Sequence, residues 1–161
     1  MDILQWLTGT GAGKLVFTVL VSMIPVVELR GAIPFGVSLG LNHWAAFLAS
    51  VAGNLIPVPF IIVFIRRLFE WMRTQFPRMD NMITRLEKRA HLKGQAVNRY
   101  GYWGLLIFVA IPLPGTGAWT GALVAAFLDM RLTRAFPAIF WGVVLAGFIV
   151  TGITYGFSIF L

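Results

Sequence analysis

Long apolar stretches, separated by short polar or glycine- and proline-rich segments, set the organisation of this chain. They cover residues 15–27, 31–41 and 42–65, and then run from residue 100 to the end with breaks near Pro112 and Asp129. Residues 43–65 and 135–160 are each long enough to cross a bilayer, because about 20 helical residues span its hydrocarbon core. The sequence therefore predicts two full membrane spans.

Two shorter apolar stretches, residues 15–27 and 102–111, are each followed by a break rich in glycine and proline. Shifting the chain by about 87 positions matches the two halves in pattern, because Ile-Pro pairs begin both breaks and Asn42 matches Asp129, each read as a helix-capping residue. Matching interrupted segments in two halves indicate an inverted-repeat transporter. We predict an all-α integral membrane protein, an inverted repeat of two halves, each a Gly/Pro-broken re-entrant hairpin followed by a transmembrane helix.

Charge is concentrated between the two halves. Only 12% of the 161 residues are charged, against about 25% in ordinary soluble domains. Most of the thirteen Lys and Arg residues that give the net charge of +7 fall between residues 66 and 99. Basic residues are retained on the inner side of a bilayer, so we expect a multi-pass protein of the inner (plasma) membrane with residues 66–100 cytoplasmic. This placement between apolar regions also argues against nucleic-acid binding.

One membrane domain, residues 1–161, follows from this pattern, with residues 15–65 as first repeat, 66–100 as connector and 101–161 as second repeat. The two hairpins enter from opposite faces and meet near the midplane, where irregular backbone must be buried or line a polar cavity. The connector is either a solvated link or an amphipathic helix on anionic lipid head groups. The residues proposed for its apolar face are Met79, Met82 or Ile83, Leu86 and Ala90.

The N-terminus lacks the features of a removable signal peptide, so we expect the first segment to stay. No cluster of His, Asp or Glu resembles a metal site, and no nucleophile lies in a catalytic pattern. We expect no metal, no cofactor and no enzymatic activity.

Glu28 and Arg30, within "VVELRGAIPFG", are the charged residues of the otherwise uncharged run from Leu15 to Asn42. An ionisable group inside a membrane is costly and therefore a functional candidate. We interpret Glu28 as a proton carrier and Arg30 as a bidentate ligand for phosphate or carboxylate, with Pro34 breaking the helix beside them. Desolvation disfavours the charged carboxylate and the arginine favours it, which would couple protons to cargo. The alternative is a purely structural ion pair.

The second break, "IPLPGTGAWTG", supplies the opposing wall of the predicted site. Glycine-rich turns aim backbone N–H groups at anions, and hydroxyls add donors, although the same residues can serve only to make the turn. Asn54 lies about 18 Å into its span, close to the midplane, and either binds substrate or bonds another helix. Arg134 either anchors the interface or reaches a lipid phosphate. The substrate-binding candidates of this half are Pro112, Pro114, Gly115, Thr116, Gly117 and Thr120, with Arg134.

The stretches "ELRGAIPFG" and "GYWGLLIFVAIPLPGTGAWTGALVAAFLDM" resemble the bacterial putative small multidrug export protein family, a branch of the wider DedA (SNARE-associated, VTT) superfamily. The resemblance covers nearly the whole chain and implies two facing re-entrant hairpins. It also implies movement of undecaprenyl phosphate or a phospholipid with proton-motive force, with Glu28 at the superfamily's acidic position. The arginines of the superfamily's second hairpin are absent here, where Val109 and residues 115–117 stand.

Three functions remain open on the sequence. The first is a proton-coupled transporter or flippase for an amphipathic, phosphate-bearing lipid. The second is a proton-coupled small multidrug exporter, and the third is a membrane scaffold that transports nothing. Protons, a lipid or amphipathic small molecule and a possible second copy of the chain are the expected partners.

Overall fold

The computed structural model describes residues 3–113 and 115–156, and this part of the chain contains only helices and turns. The described chain divides into two compact units, one formed by residues 3–57 and 143–156 and the other by residues 58–142. The helices are α1 Ile3–Gly9, α2 Gly11–Ser22, α3 Glu28–Ser38, α4 His43–Leu55, α5 Pro57–Gln75, α6 Asp80–Lys93, α7 Gln95–Ala110, α8 Ala118–Phe127 and α9 Leu132–Tyr155, with a 3₁₀ turn at Pro77–Met79.

Two helices are long and apolar enough to cross a membrane, as the sequence predicts. They are His43–Gln75, which comprises α4 and α5, and α9. The first continues ten residues beyond the predicted end at residue 65, because the arginines that follow are good helix formers. It stops where Phe76 adopts a non-helical conformation before Pro77, with φ of −131° and ψ of 79°, since a proline disfavours helix in the residue before it. The predicted second span ends at residue 160, beyond the described residues.

The predicted first hairpin is a pair of short helices, α2 and α3, joined by a turn over residues 23–27. They contain 12 and 11 residues, or about 18 Å and about 16.5 Å at 1.5 Å per residue, which is less than the roughly 30 Å of a hydrocarbon core. Asn42 caps α4 as predicted, since its side chain accepts a hydrogen bond of 2.6 Å from the Ala45 N–H. That the hairpin is re-entrant stays a prediction.

Small residues let α2, α3 and α4 approach closely. A Cβ placed on Gly36 of α3 would lie 3.0 Å from the Thr18 hydroxyl on α2 and 3.1 Å from the Ala46 Cβ on α4. One turn further along, the Ser22 hydroxyl of α2 donates a 2.7 Å hydrogen bond to the Ser50 carbonyl of α4. The three helices therefore form a packed layer whose register is fixed by these contacts.

Gly53 allows α2 and α4 to approach closely, because a Cβ there would overlap the Val19 carbonyl and the Ser22 hydroxyl. We expect Gly53→Ala to lower the free energy of unfolding by about 1–3 kcal/mol, the usual cost of overpacking. Thermal unfolding in detergent, followed by tryptophan fluorescence, measures this. Gly152→Ala is the matched control, since no heavy atom lies within 4 Å of its added Cβ. Equal melting temperatures for the two variants would contradict the packing described here.

The connector belongs to the second unit, and its helix α6 packs within that unit. Ile83 and Ala90 are buried, whereas Met82 and Leu86, expected on the same apolar face, remain exposed. The end of α6 lies against α8, since a Cβ on Gly94 would contact side chains of that helix. The apolar face of the connector is thus partly covered by protein. Its predicted contact with lipid head groups stays a prediction.

Asp129 was predicted to cap the last span, and this is wrong. It follows the end of α8 in a left-handed conformation with φ of 54°, and the next residue, Met130, donates a hydrogen bond back to the Ala125 carbonyl. This six-residue closure is the Schellman arrangement that ends a helix. Asp129 therefore terminates α8, and its carboxylate pairs with Arg66.

The first unit contains a helix, a break and a helix in α2, residues 23–27 and α3. In the second unit these are α7, residues 111–117 and α8. The helix α7 begins earlier than predicted and is bent at Gly101, which has φ of 56°. Glycine adopts this conformation readily because it has no Cβ. The inverted relation between the two halves stays a prediction.

Candidate functional site

Glu28 lies where the turn after α2 becomes α3, and it is buried with 4% of its surface exposed. Its backbone N–H donates to the Ile24 carbonyl at 2.9 Å, which closes the turn. The remaining acids of the described chain lie between residues 70 and 129, in or beside the basic segments. Glu28 is thus a carboxyl group placed inside an apolar helical layer.

The backbone of Glu28 is strained, with φ of 48° in the left-handed region. A residue with a side chain adopts this conformation at a cost of roughly 1–2 kcal/mol, whereas glycine does so freely. Such strain concentrates at functional sites, where the surrounding structure holds it in place. Glycine would relieve this strain, and the chain has a glycine only three residues away at Gly31. The strained position nevertheless holds a glutamate.

Arg30 is half-buried on the first turn of α3, and Glu28 and Arg30 both have interaction partners in the structure. Pro34 lies inside α3 and is half-buried. Because proline has no N–H, it cannot donate the usual helical bond to the Arg30 carbonyl. Glu28 and Arg30 therefore lie on the first turn of α3, and Pro34 lies in the middle of the same helix.

Asn54 is fully buried on α4, and neither its amide nitrogen nor its amide oxygen has a hydrogen-bond partner among the described residues. The Ser50 hydroxyl, one turn earlier on the same face, is equally buried and unpaired. A buried polar group without a partner costs roughly 1–3 kcal/mol. Three such atoms on one helix face make this part of α4 a candidate for binding a polar group.

The register of the layer brings Glu28 and Asn54 to the same depth. The helices α3 and α4 are antiparallel, because residues 39–42 are a short link between them, and Gly36 packs against Ala46. Glu28 and Asn54 each lie eight residues from this contact, or about 12 Å along their helices at 1.5 Å per residue. A buried acid and an unsatisfied amide therefore share one level of the first unit.

The predicted opposing wall belongs to the second unit. The Thr116 hydroxyl lies 2.7 Å from both the Ile111 and the Leu113 carbonyl oxygens, so its proton holds the turn together. Gly115 and Gly117 have φ of 80° and 120°, which side chains rarely adopt. Pro112 is half-buried, and Pro114 lies outside the described residues. These residues build the turn; their predicted contact with substrate stays a prediction.

Thr120 and Arg134 lie in two further cavities of the second unit. Thr120 lines one of about 160 Å³ together with Phe69, Arg89 and Phe127. Arg134 lines a larger one of about 700 Å³ that also includes Arg131 and Tyr102. The predicted substrate residues of this half are therefore divided among the turn and two separate cavities.

Sequence reasoning missed Ser50 and Ser22, which complete the polar part of the first unit. The available signal was spacing, since Ser50 lies four residues before Asn54 and residues at this spacing share a helix face. A serine in an apolar helix is also common as a packing residue. Its lack of a partner becomes apparent only from the three-dimensional arrangement.

Two apolar helices long enough to cross a membrane and a buried acid inside a helical layer are typical of a helical membrane protein. Residues 28–149 match the family described as "Putative small multi-drug export protein". The match covers more than half of the chain, so the chain belongs to this family of membrane exporters. No curated protein and no solved structure matched the chain.

Proposed function

We propose that the protein exports amphipathic organic cations in exchange for protons, using the polar site of the first unit. The observation that carries this proposal is the buried, strained Glu28 at the same depth as the unsatisfied Asn54. The family description, which names drug export, agrees with it. We further propose the inner membrane as its location, with residues 66–100 cytoplasmic.

The chemistry follows from one carboxyl group serving two cations. A deprotonated Glu28 attracts a positively charged group, and the loss of that group allows a proton to take its place. One carboxylate cannot hold both cations at once, so binding of the cargo displaces the proton and binding of the proton displaces the cargo. Asn54 and Ser50 supply the donor and acceptor atoms that orient the polar end of the cargo.

A phosphate-bearing lipid is the second candidate cargo, and Arg30 favours it. A half-buried guanidinium at the start of α3 is suited to bidentate phosphate binding. The lipid hypothesis began with the resemblance to the DedA superfamily, whereas the matched family carries the export name alone. The two cargoes depend on different residues, which makes them separable.

Transport in proteoliposomes tests the proposal. Vesicles with an imposed pH gradient are loaded in parallel with a fluorescent organic cation and with a labelled phospholipid. We expect gradient-dependent movement of the dye that Glu28→Gln removes and that Glu70→Gln, at an exposed acid of α5, retains. Movement of the lipid alone, lost in Arg30→Gln, would overturn the drug proposal in favour of lipid. No movement of either by folded protein would favour the scaffold.

A further inference from the structure

The cavity at the start of α9 has a composition suited to an anion with an apolar attachment. It measures about 700 Å³ and is lined by the guanidinium-bearing Arg131 and Arg134 and by the phenol of Tyr102. Val97, Leu128 and Met130 provide apolar wall. Positive, hydrogen-bonding and apolar surfaces thus meet in one opening of the second unit.

The positive charge of this cavity is not neutralised by the neighbouring acids. Asp129, the acidic residue of its lining, pairs with Arg66. Asp80 and Glu87 pair with Arg73. In the described part of the chain, the Arg131 and Arg134 guanidinium groups make no ion pair or side-chain hydrogen bond. Two uncompensated cations four positions or fewer apart at the start of a helix favour an anionic ligand, and the helix dipole adds to this preference.

The cavity lies beside the start of the apolar helix α9, and this position indicates which kind of anion it binds. Arg134 immediately precedes the apolar run of α9, and Arg131 lies three residues, or about 4.5 Å, before it. Basic residues at the end of a membrane span lie at the depth of lipid head groups. Tyrosine and tryptophan prefer the same depth, and the adjacent Trp103 is exposed. The cavity therefore opens where phospholipid phosphates are concentrated.

We infer that this cavity binds the phosphate head group of an anionic membrane phospholipid, with Arg131 and Arg134 on the phosphate and the apolar wall against the first part of the acyl chains. Tyr102 is placed to donate a hydrogen bond to the same group. This site differs from the proposed export site in residues and in unit, and it does not depend on the export proposal. Its role is to bind a resident lipid.

Native mass spectrometry of the purified full chain, titrated with phosphatidylglycerol and phosphatidylcholine, tests the inference. We expect preferential retention of phosphatidylglycerol, weakened at least about tenfold in the double variant Arg131→Gln/Arg134→Gln, since each basic residue near a membrane surface contributes severalfold to binding. The matched control is Arg78→Gln/Arg85→Gln, which removes the same charge from exposed positions elsewhere in the second unit. This control should change binding less than twofold.

Three results would overturn the inference. Unchanged phosphatidylglycerol binding by the cavity variant would exclude the site. An equal loss of phosphatidylglycerol binding in the control variant would show that binding depends on net charge and not on the cavity. Displacement of the lipid by inorganic phosphate at an equal concentration would assign the cavity to a soluble anion. Circular dichroism of both double variants checks that their helices are intact, so that loss of binding reports on the cavity.

Discussion

Glu28→Gln is expected to abolish proton-driven export while leaving the protein folded. Glutamine has the size and hydrogen-bonding capacity of a protonated glutamate, but it can neither release a proton nor attract a cation. Dye efflux driven by a pH gradient should fall to the level of empty vesicles, because the group that couples the two cations is gone. Glu70→Gln, at an exposed acid, should retain the native rate.

Glu28→Gly separates function from structure at the same position. Glycine adopts the left-handed conformation of residue 28 without the cost of roughly 1–2 kcal/mol, which offsets part of the loss of the Glu28 side-chain contacts, so the melting temperature should change little although export is lost. A structural ion pair predicts the reverse, because removing one member of a buried pair destabilises by about 3–5 kcal/mol. Retained efflux together with a lower melting temperature would therefore assign Glu28 to stability alone.

Asn54→Leu is the second change with a large expected effect. It replaces a buried amide with no hydrogen-bond partner in the described chain by an apolar side chain of similar size. Removing unpaired buried polar atoms should raise the free energy of unfolding by about 1–3 kcal/mol. Export should fall strongly, since the group that orients the cargo is gone. Thermal unfolding and dye efflux on one preparation measure both effects.

Thr151→Val is the matched control for this experiment. The Thr151 hydroxyl is also buried without a partner in the described chain, but it lies on α9, outside the layer formed by α2, α3 and α4. We expect a similar gain in stability with export unchanged. If Asn54→Leu lowers stability, an ordered water or another helix already satisfies the amide. If export is unaffected, Asn54 does not contact the cargo.

Apolar length and charge placement predicted much of the fold. The two spans and the capping role of Asn42 follow from local rules, because helix length, hydropathy and capping depend on residues close in sequence. Asp129 shows where those rules fail. An aspartate shortly before a helix is often its N-cap. Here Asp129 instead takes part in the Schellman closure that ends the preceding helix α8.

The candidate site was only partly predictable. Glu28 was identifiable because a charge in an apolar run is conspicuous in any sequence. Its left-handed backbone was not, since glutamate has no preference for that conformation and the packed layer imposes it. The spacing of Ser50 and Asn54 places them on one helix face, but only the structure shows that the Ser50 hydroxyl is buried there. The partial burial of α6, likewise, depends on its contact with α8, a helix about thirty residues away in the chain.

Proton release on cargo binding tests the central claim, that one carboxyl group serves both the proton and the cation. Purified protein in weakly buffered detergent solution receives a saturating amount of an organic cation, and a pH indicator reports the protons released. Native protein should release up to one proton per chain, and Glu28→Gln should bind less cation and release none. Release of the same number of protons by both proteins would contradict the account.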